Sequence, residues 1–495
     1  MSQDQKSYRQ IFKATSLFGG VQVFNILISI IKSKFVAVLL GPEGMGIAGL
    51  LTTTTNLISG ISNFGLVSSS VKNISEANAT SDENRVATII SVLRRLVWIT
   101  GTMGTIITLA FAPWLSQLTF GNRDYSLAFA WLSLTLLFNQ LTNGQLALLQ
   151  GLRRLEYLAK ANLTGSTLGL IVVIPLYYIW RIDAIVPAII ISSLVSLGLA
   201  LFFSKKVSIS SVPITREITI GEGKKMLVMG FIISLAGLLT IGASYIIRIY
   251  VSNTGGVEQV GLYTAGFALV ETYVGMIFTA MSADYYPRLS AVNENKEEIS
   301  KLVTHQAVTA MLILAPVVVI FIIFVPQIII ILYSSKFVLI NLMVRAAILG
   351  MVFRAASFPM GYILYAKGDS SLFIKTSIGF NLLFLANNII GYKFFGLTGL
   401  GVSFAVNFLI HFIALLIITR IKYEFRFKPE FLNIFIISVF ICFASFSISI
   451  LTFGYIFYIL GSILIVLSLT YSLYELNNRL NLTETFNGFK KKLNL

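Results

Sequence analysis

Seven ionisable side chains sit inside long apolar runs of this sequence: Lys32, Lys34, Arg248, Glu271, Arg345, Arg354 and His411. Charge in hydrocarbon is expensive, so such groups face a bundle interior or a wet cavity, or else snorkel to an interface. Five are basic and one is acidic, a balance that suits an anionic ligand. Lys32 and Lys34 are two residues apart, roughly 200° around a helix, so they cannot both face one cavity squarely. Basic groups converging from different helices can clamp a diphosphate. Arg354 lies mid-run, where snorkelling is hardest, and is expected to face a cavity. Arg345 lies near a run's end and reads as an interface anchor. Glu271 is the one carboxylate near the middle of a run. It can pair with Arg354 or Arg248, or take up a proton or sodium ion. Asp284, close to a run's end, can cap it or pair with Arg288. His411 can titrate, although a neutral histidine bonded to a backbone carbonyl is the commoner arrangement. It and His305 lack metal-ligand spacing. Asn139, Gln140, Asn143, Gln145 and Gln150 make one run unusually rich in amides, which either bind hydroxyl-rich ligands or bridge helices.

The elements that must position these groups are membrane helices. The chain has 495 residues, 56% hydrophobic and 12% charged, too few charges to skin a soluble protein of this size. Apolar runs of about 20 residues recur, each long enough to cross roughly 30 Å of hydrocarbon. In lipid such runs must be helices, because every backbone polar group needs an internal partner. Fourteen spans are expected, near 15–40, 45–71, 88–112, 125–150, 157–180, 184–204, 226–252, 259–286, 302–333, 341–365, 372–394, 397–419, 431–452 and 455–475. The ninth contains Pro316 and Pro326 and is expected to kink or end early.

With the N-terminus in the cytoplasm, 28 of the 37 Lys and Arg fall on the cytoplasmic side, four on the other and five inside spans. That bias predicts cytoplasmic N- and C-termini. It also explains the formal charge of +16 without nucleic acid. Arg94, Arg95, Arg153 and Arg154 would then line the cytoplasmic mouth. No cleavable signal is visible, so the first helix is expected to direct insertion. Cys442 is the one cysteine, which excludes an intrachain disulfide.

The halves echo one another at an offset near 216. Ile30-Ile31-Lys32 matches Ile246-Ile247-Arg248, Gly46-Ile47 answers Gly261-Leu262, Lys72 answers Arg288, and Thr88 answers Thr304. The offset covers six spans, an even number, so the repeat is parallel. Repeats of this kind place a substrate between halves that rock against one another. The expected organisation is an N-terminal six-helix bundle over 1–204, a cytoplasmic linker over 205–225, and a second six-helix bundle over 226–420. Two further spans cover 431–475, and a tail covers 476–495.

Gly41-Pro42-Glu43-Gly44-Met45-Gly46-Ile47-Ala48-Gly49 resembles the GPxGxGxxG turn of Wzx-type polysaccharide flippases. Lys34 stands where many of these proteins carry a basic residue. Gly261-Leu262-Tyr263, through Glu271, to Tyr285-Tyr286-Pro287-Arg288-Leu289-Ser290 is similar to the family's GxW/Y…E…YxPRLS pattern. The likeness covers about residues 10 to 420. It implies the fold of the multidrug/oligosaccharidyl-lipid/polysaccharide exporter superfamily, an all-α polytopic bundle. It also implies movement of undecaprenyl-pyrophosphate-linked oligosaccharide, for O-antigen or common-antigen synthesis, across a bacterial inner membrane. The two extra C-terminal spans depart from the twelve of many relatives.

On this reading the substrate groups are Lys34, Lys32, Arg248 and Arg354, with Glu271 as the ion-coupling group. Asp284, His411, Arg345 and Asn143 stand behind them. No bond changes, so no catalytic residue, metal or cofactor is expected beyond a proton or sodium gradient. The partners would be the lipid-linked sugar, membrane lipid, and a polysaccharide polymerase with its chain-length regulator. A small-molecule antiporter of the same superfamily would need fewer buried cations. A membrane polymerase or ligase would need a large outer loop, and the outer loops here are minimal.

Overall fold

The computed structural model describes residues 3–80, 82–207, 212–452 and 454–480. All regular structure among them is helical. In order it comprises α1 (Gln3–Ser62), α2 (Leu66–Ala79), α3 (Glu83–Ala110), α4 (Ala112–Phe120), α5 (Ser126–Gly151), α6 (Leu155–Trp180) and α7 (Ile185–Ser204). Then follow α8 (Arg216–Gly255), α9 (Val257–Phe267), α10 (Met276–Ala291), α11 (Lys296–Leu332), α12 (Asn341–Ala366), α13 (Ser370–Tyr423), α14 (Pro429–Leu451) and α15 (Gly454–Leu480). A π-helical stretch, Ala268–Val274, joins α9 to α10. Ten helical stretches among the described residues are long and apolar enough to cross a membrane.

Three of those ten are interrupted. A straight α1 of 60 residues would measure about 90 Å, three bilayer cores. Its backbone leaves the helix at Gly41 (φ 71°, ψ −170°), and Pro42 then opens the next stretch with its φ preset. α13, 54 residues, breaks at Gly396 (φ 56°, ψ −141°). Across that break the Asn387 amide donates to Asn407 Oδ1 at 2.7 Å and Ser403 Oγ to the Asn387 carbonyl at 2.7 Å. In an unbroken helix, residues 387 and 407 would stand about 30 Å apart, so α13 is a hairpin. A 3-10 turn, Arg181–Ala184, separates α6 from α7. There Gly165 faces Ser196 and Gly169 faces Ser192, the register of an antiparallel pair.

The chain divides into two compact units. One holds Met1–Leu262 with Leu332–Ser334, the other Tyr263–Ile331 with Ser335–Leu495. In the first unit α3 packs antiparallel to α5: Gly101 lies against Leu137 and Gly144 against Val97, and the Gln140 amide donates to Thr100 Oγ1 at 2.9 Å. α8 and the start of α9 run antiparallel to the second stretch of α1, with Gly60 against Leu238 of α8. A Cβ on Gly46 would strike the Val257 carbonyl, and one on Gly261 the Pro42 carbonyl. The paired glycines of the two sequence motifs thus let backbones touch.

In the second unit α10 and α12 run parallel. Tyr285 Oη donates to the Pro359 carbonyl at 3.0 Å and the Asn293 amide to the Ala366 carbonyl at 3.2 Å. α12 is also parallel to the second arm of α13, with Gly401 on Met343 and Gly350 on Ala405.

Two expectations need correction. The second span does not run unbroken to residue 71, because a turn at Asn63 to Gly65 divides α1 from α2; Gly65 has φ 63° there. The ninth span does not end early either, since α11 continues through Pro316 and Pro326 to Leu332. Pro326 has no N–H to give, so the Ile322 carbonyl one turn back loses its helical donor. Arg345 Nε supplies one at 3.0 Å.

Candidate functional site

In the second unit, α12 is mostly buried and carries Arg354 near its midpoint. The guanidinium is held between two aromatic faces, with Cζ 4.9 Å from the Phe278 ring centre and 5.2 Å from that of Phe408. Flat faces carry negative charge density and stabilise a cation with little water around it. Arg354 Nη1 lies 3.8 Å from Glu271 Oε1; the side chains are 27% and 49% exposed. Glu271 stands in the π-helical stretch, whose signature is the Gly275 N–H bonded to the Val270 carbonyl, five residues back, at 3.0 Å. Such an inserted residue widens one turn and recurs at functional sites. The His411 ring lies tilted against Phe380 (4.5 Å) and edge-on to Phe408 (6.1 Å). Its buried Nδ1 has no hydrogen bond among the described residues.

Beyond Phe278 an aromatic track continues through Phe358 to Tyr362, whose ring lies within about 6 Å of Tyr285, Tyr286 and Tyr365, and Tyr365 in turn meets Phe373. Tyr286 and Tyr365 are exposed at its end. Sequence reasoning missed this feature. The available signal was Phe358, Tyr362 and Tyr365 at helical spacing beside the Tyr285-Tyr286 pair.

The first unit holds Lys34, Lys32 and Arg248. Lys34 is half-buried and donates from Nζ to the Tyr333 carbonyl at 2.7 Å, while Lys32 is exposed. Arg248 is half-buried and donates to the Ser244 carbonyl at 3.3 Å and to Ser244 Oγ, one turn back on α8. Lys34 and Arg248 therefore belong to the same unit, Arg354 and Glu271 to the other. Asn143 is half-buried on α5.

Arg345 and Asp284 are engaged elsewhere in the second unit. Arg345 is 8% exposed. It donates to the Ile322 carbonyl and, at 3.1 Å from Nη1, to the Ser449 carbonyl in the last turn of α14. Phe457 lies 5.1 Å from its Cζ. Rather than anchoring at an interface, it clasps α11, α12 and α14 through two carbonyls that their own helices leave unpaired. Asp284 forms an exposed ion pair with Arg288 at 2.8 Å, one turn along α10. Pairs of that kind contribute roughly 0.3–0.5 kcal/mol.

Charged and aromatic side chains held at mid-helix in a polytopic bundle mark a multi-pass integral membrane protein. The chain belongs to the polysaccharide biosynthesis protein family, whose pattern matches residues 35–341. It is 23% identical over 384 residues to the lipid III flippase of Escherichia coli (strain K12), covering 75% of this chain and 89% of that protein. The lipid III flippase of Shigella flexneri matches to the same extent. Among solved structures, an inward-facing multidrug resistance MATE family transporter of the MOP superfamily superposes with TM-score 0.70 at 16% identity, covering 83% of this chain and 98% of that one. The lipid II flippase MurJ, in an inward closed conformation, gives TM-score 0.68 at 13% identity over 95% of this chain and 99% of its own. At such identities the likeness establishes the fold alone. The resemblance carried by Gly41 to Gly49 and by Gly261 to Ser290 stands.

Proposed function

We propose that this protein is a flippase, moving undecaprenyl-pyrophosphate-linked oligosaccharide from the cytoplasmic to the periplasmic leaflet of a bacterial inner membrane by alternating access. The observation that carries the reading is Arg354, held between Phe278 and Phe408 beside Glu271 on a π-turn, with an aromatic track leading away. A pyrophosphate needs a weakly hydrated cation within the membrane, and sugars stack on aromatic faces. The relatives named for lipid III flipping support the same substrate class. Lys34, Lys32 and Arg248 supply further positive charge, and Glu271 is the coupling group for a proton or sodium ion. No bond is made or broken, so the protein is a transporter rather than an enzyme. A polymerase and chain-length regulator act on the delivered unit.

Counting α1, α6–α7 and α13 as two spans each, and adding the amide-rich α5, gives fourteen crossings with both termini cytoplasmic. α14 and α15 are then the two spans outside the repeat. The test is export in a flippase-null strain carrying Arg354→Ala, Arg248→Ala or Lys34→Ala, each checked for membrane insertion. Loss of surface polysaccharide, with lipid-linked oligosaccharide accumulating on the inner leaflet, is the expected result. Normal polymer from all three variants would refute the reading.

A further inference from the structure

In the first unit, the amino-terminal part of α3, the carboxyl-terminal part of α5 and the end of α7 enclose a cavity of about 520 Å³. Arg94, Lys205, Gln145 and Ser204 give it polar groups, and Trp98 and Leu141 are among its apolar walls. The neighbouring cations are already engaged. Arg95 donates to Thr219 Oγ1 and to the Ile214 carbonyl, and Lys206 lies 4.5 Å from the Phe202 ring centre. Arg94 and Lys205 are exposed, and their side chains have no hydrogen bond or ion pair among the described residues. Gln145 is only 8% exposed, and its amide too has no partner among them. Gln145 lines the cavity, so its amide is free to bond a ligand there. Among the described residues, no carboxylate lines the cavity.

One helical turn from these cations the surface becomes apolar. Trp98 is 54% exposed and Leu201, one turn before Lys205, is 37% exposed; Phe202 beside it is 56% exposed. An indole next to cations, with bare aliphatic and aromatic side chains beyond, is the profile of a headgroup boundary.

We propose that this cavity binds the headgroup of an anionic membrane phospholipid. Arg94 and Lys205 hold the phosphate, Gln145 bonds the glycerol or ester oxygens, and the acyl chains lie along Trp98 and Leu201. The site is separate from the Arg354 cluster and does not depend on the transport reading.

The test uses the full-length protein in an uncharged detergent, with binding of phosphatidylglycerol, phosphatidylcholine and inorganic phosphate followed by native mass spectrometry and thermal shift. Wild type is compared with Arg94→Gln/Lys205→Gln, with Gln145→Leu, and with the charge-conserving swap Arg94→Lys/Lys205→Arg. Lys301→Gln/Lys375→Gln, two exposed lysines in the other unit, controls for general charge loss. Phosphatidylglycerol should bind wild type in preference to phosphatidylcholine. Its affinity should fall at least fivefold in the glutamine pair relative to the control, and the charge-conserving swap should retain it. A smaller loss overturns the proposal, as does equal binding of the two lipids. Inorganic phosphate stabilising the protein as well as the lipid does would make this a soluble-anion site and overturn it too.

Discussion

Removing the charges of Glu271 and Arg354 singly and together tests whether they act as one unit. At 3.8 Å their attraction is about 1 kcal/mol in a water-like medium and about 4 kcal/mol at an effective dielectric of 20. Both side chains are partly exposed, 27% and 49%, which places the pair near the lower figure. Arg354 also loses two aromatic faces on substitution, at roughly 0.5–1 kcal/mol each. We therefore expect Arg354→Gln to destabilise the protein by about 2–3 kcal/mol and Glu271→Gln by about 1 kcal/mol. The double variant should lie about 1 kcal/mol short of the sum, since the shared pair can be lost only once. Unfolding by titration with sodium dodecyl sulfate in mixed micelles measures all three. Strict additivity, within about 0.3 kcal/mol, would show that the two groups do not interact and would remove the basis for treating them as one site.

Three further outcomes follow from particular contacts. Arg345→Met should destabilise by about 2–4 kcal/mol, because two charge-assisted bonds vanish and the Ile322 and Ser449 carbonyls are left bare; an unchanged Tm would exclude the clasp. Gly261→Ala should lower Tm sharply, since its Cβ collides with the Pro42 carbonyl, while Gly242→Ala, with open space around it, should be neutral or gain up to about 1 kcal/mol. Equal effects of the two substitutions would contradict the close approach of the backbones. Asp369, in the turn before α13, receives bonds from Lys422, the Leu372 N–H and Tyr423 Oη, and the Lys422 ammonium above all holds its carboxyl below the usual carboxylate range. A lowered folded value means the stabilisation is complete above the unfolded value of about 3.9 and is lost as pH falls through the folded one. The Tm advantage over Asp369→Asn should accordingly shrink below about pH 4, and a constant gap down to pH 2 would sink the assignment.

What the sequence determined by itself rests on short-range physics. Composition and run length required membrane helices, and lipid leaves the backbone few alternatives. Gly41-Pro42 marked a break because glycine alone adopts the left-handed backbone there readily and proline cannot continue the preceding helix. Mid-run charges were identifiable as special, since hydrocarbon penalises them wherever they point. Their partners were not legible. That Arg354 lies between Phe278 and Phe408, which come from α10 and α13, depends on long-range helix register, which apolar periodicity leaves open. The π-turn at Ala268–Val274 carries no composition signal, because its residues would suit an ordinary helix. Arg345 read as an anchor near a run's end. Only the packing of α11 and α14 against α12 brought two carbonyls within its reach, one of them freed by Pro326. Local chemistry fixes which groups need partners in a membrane; the packing of distant helices decides which partner each one finds.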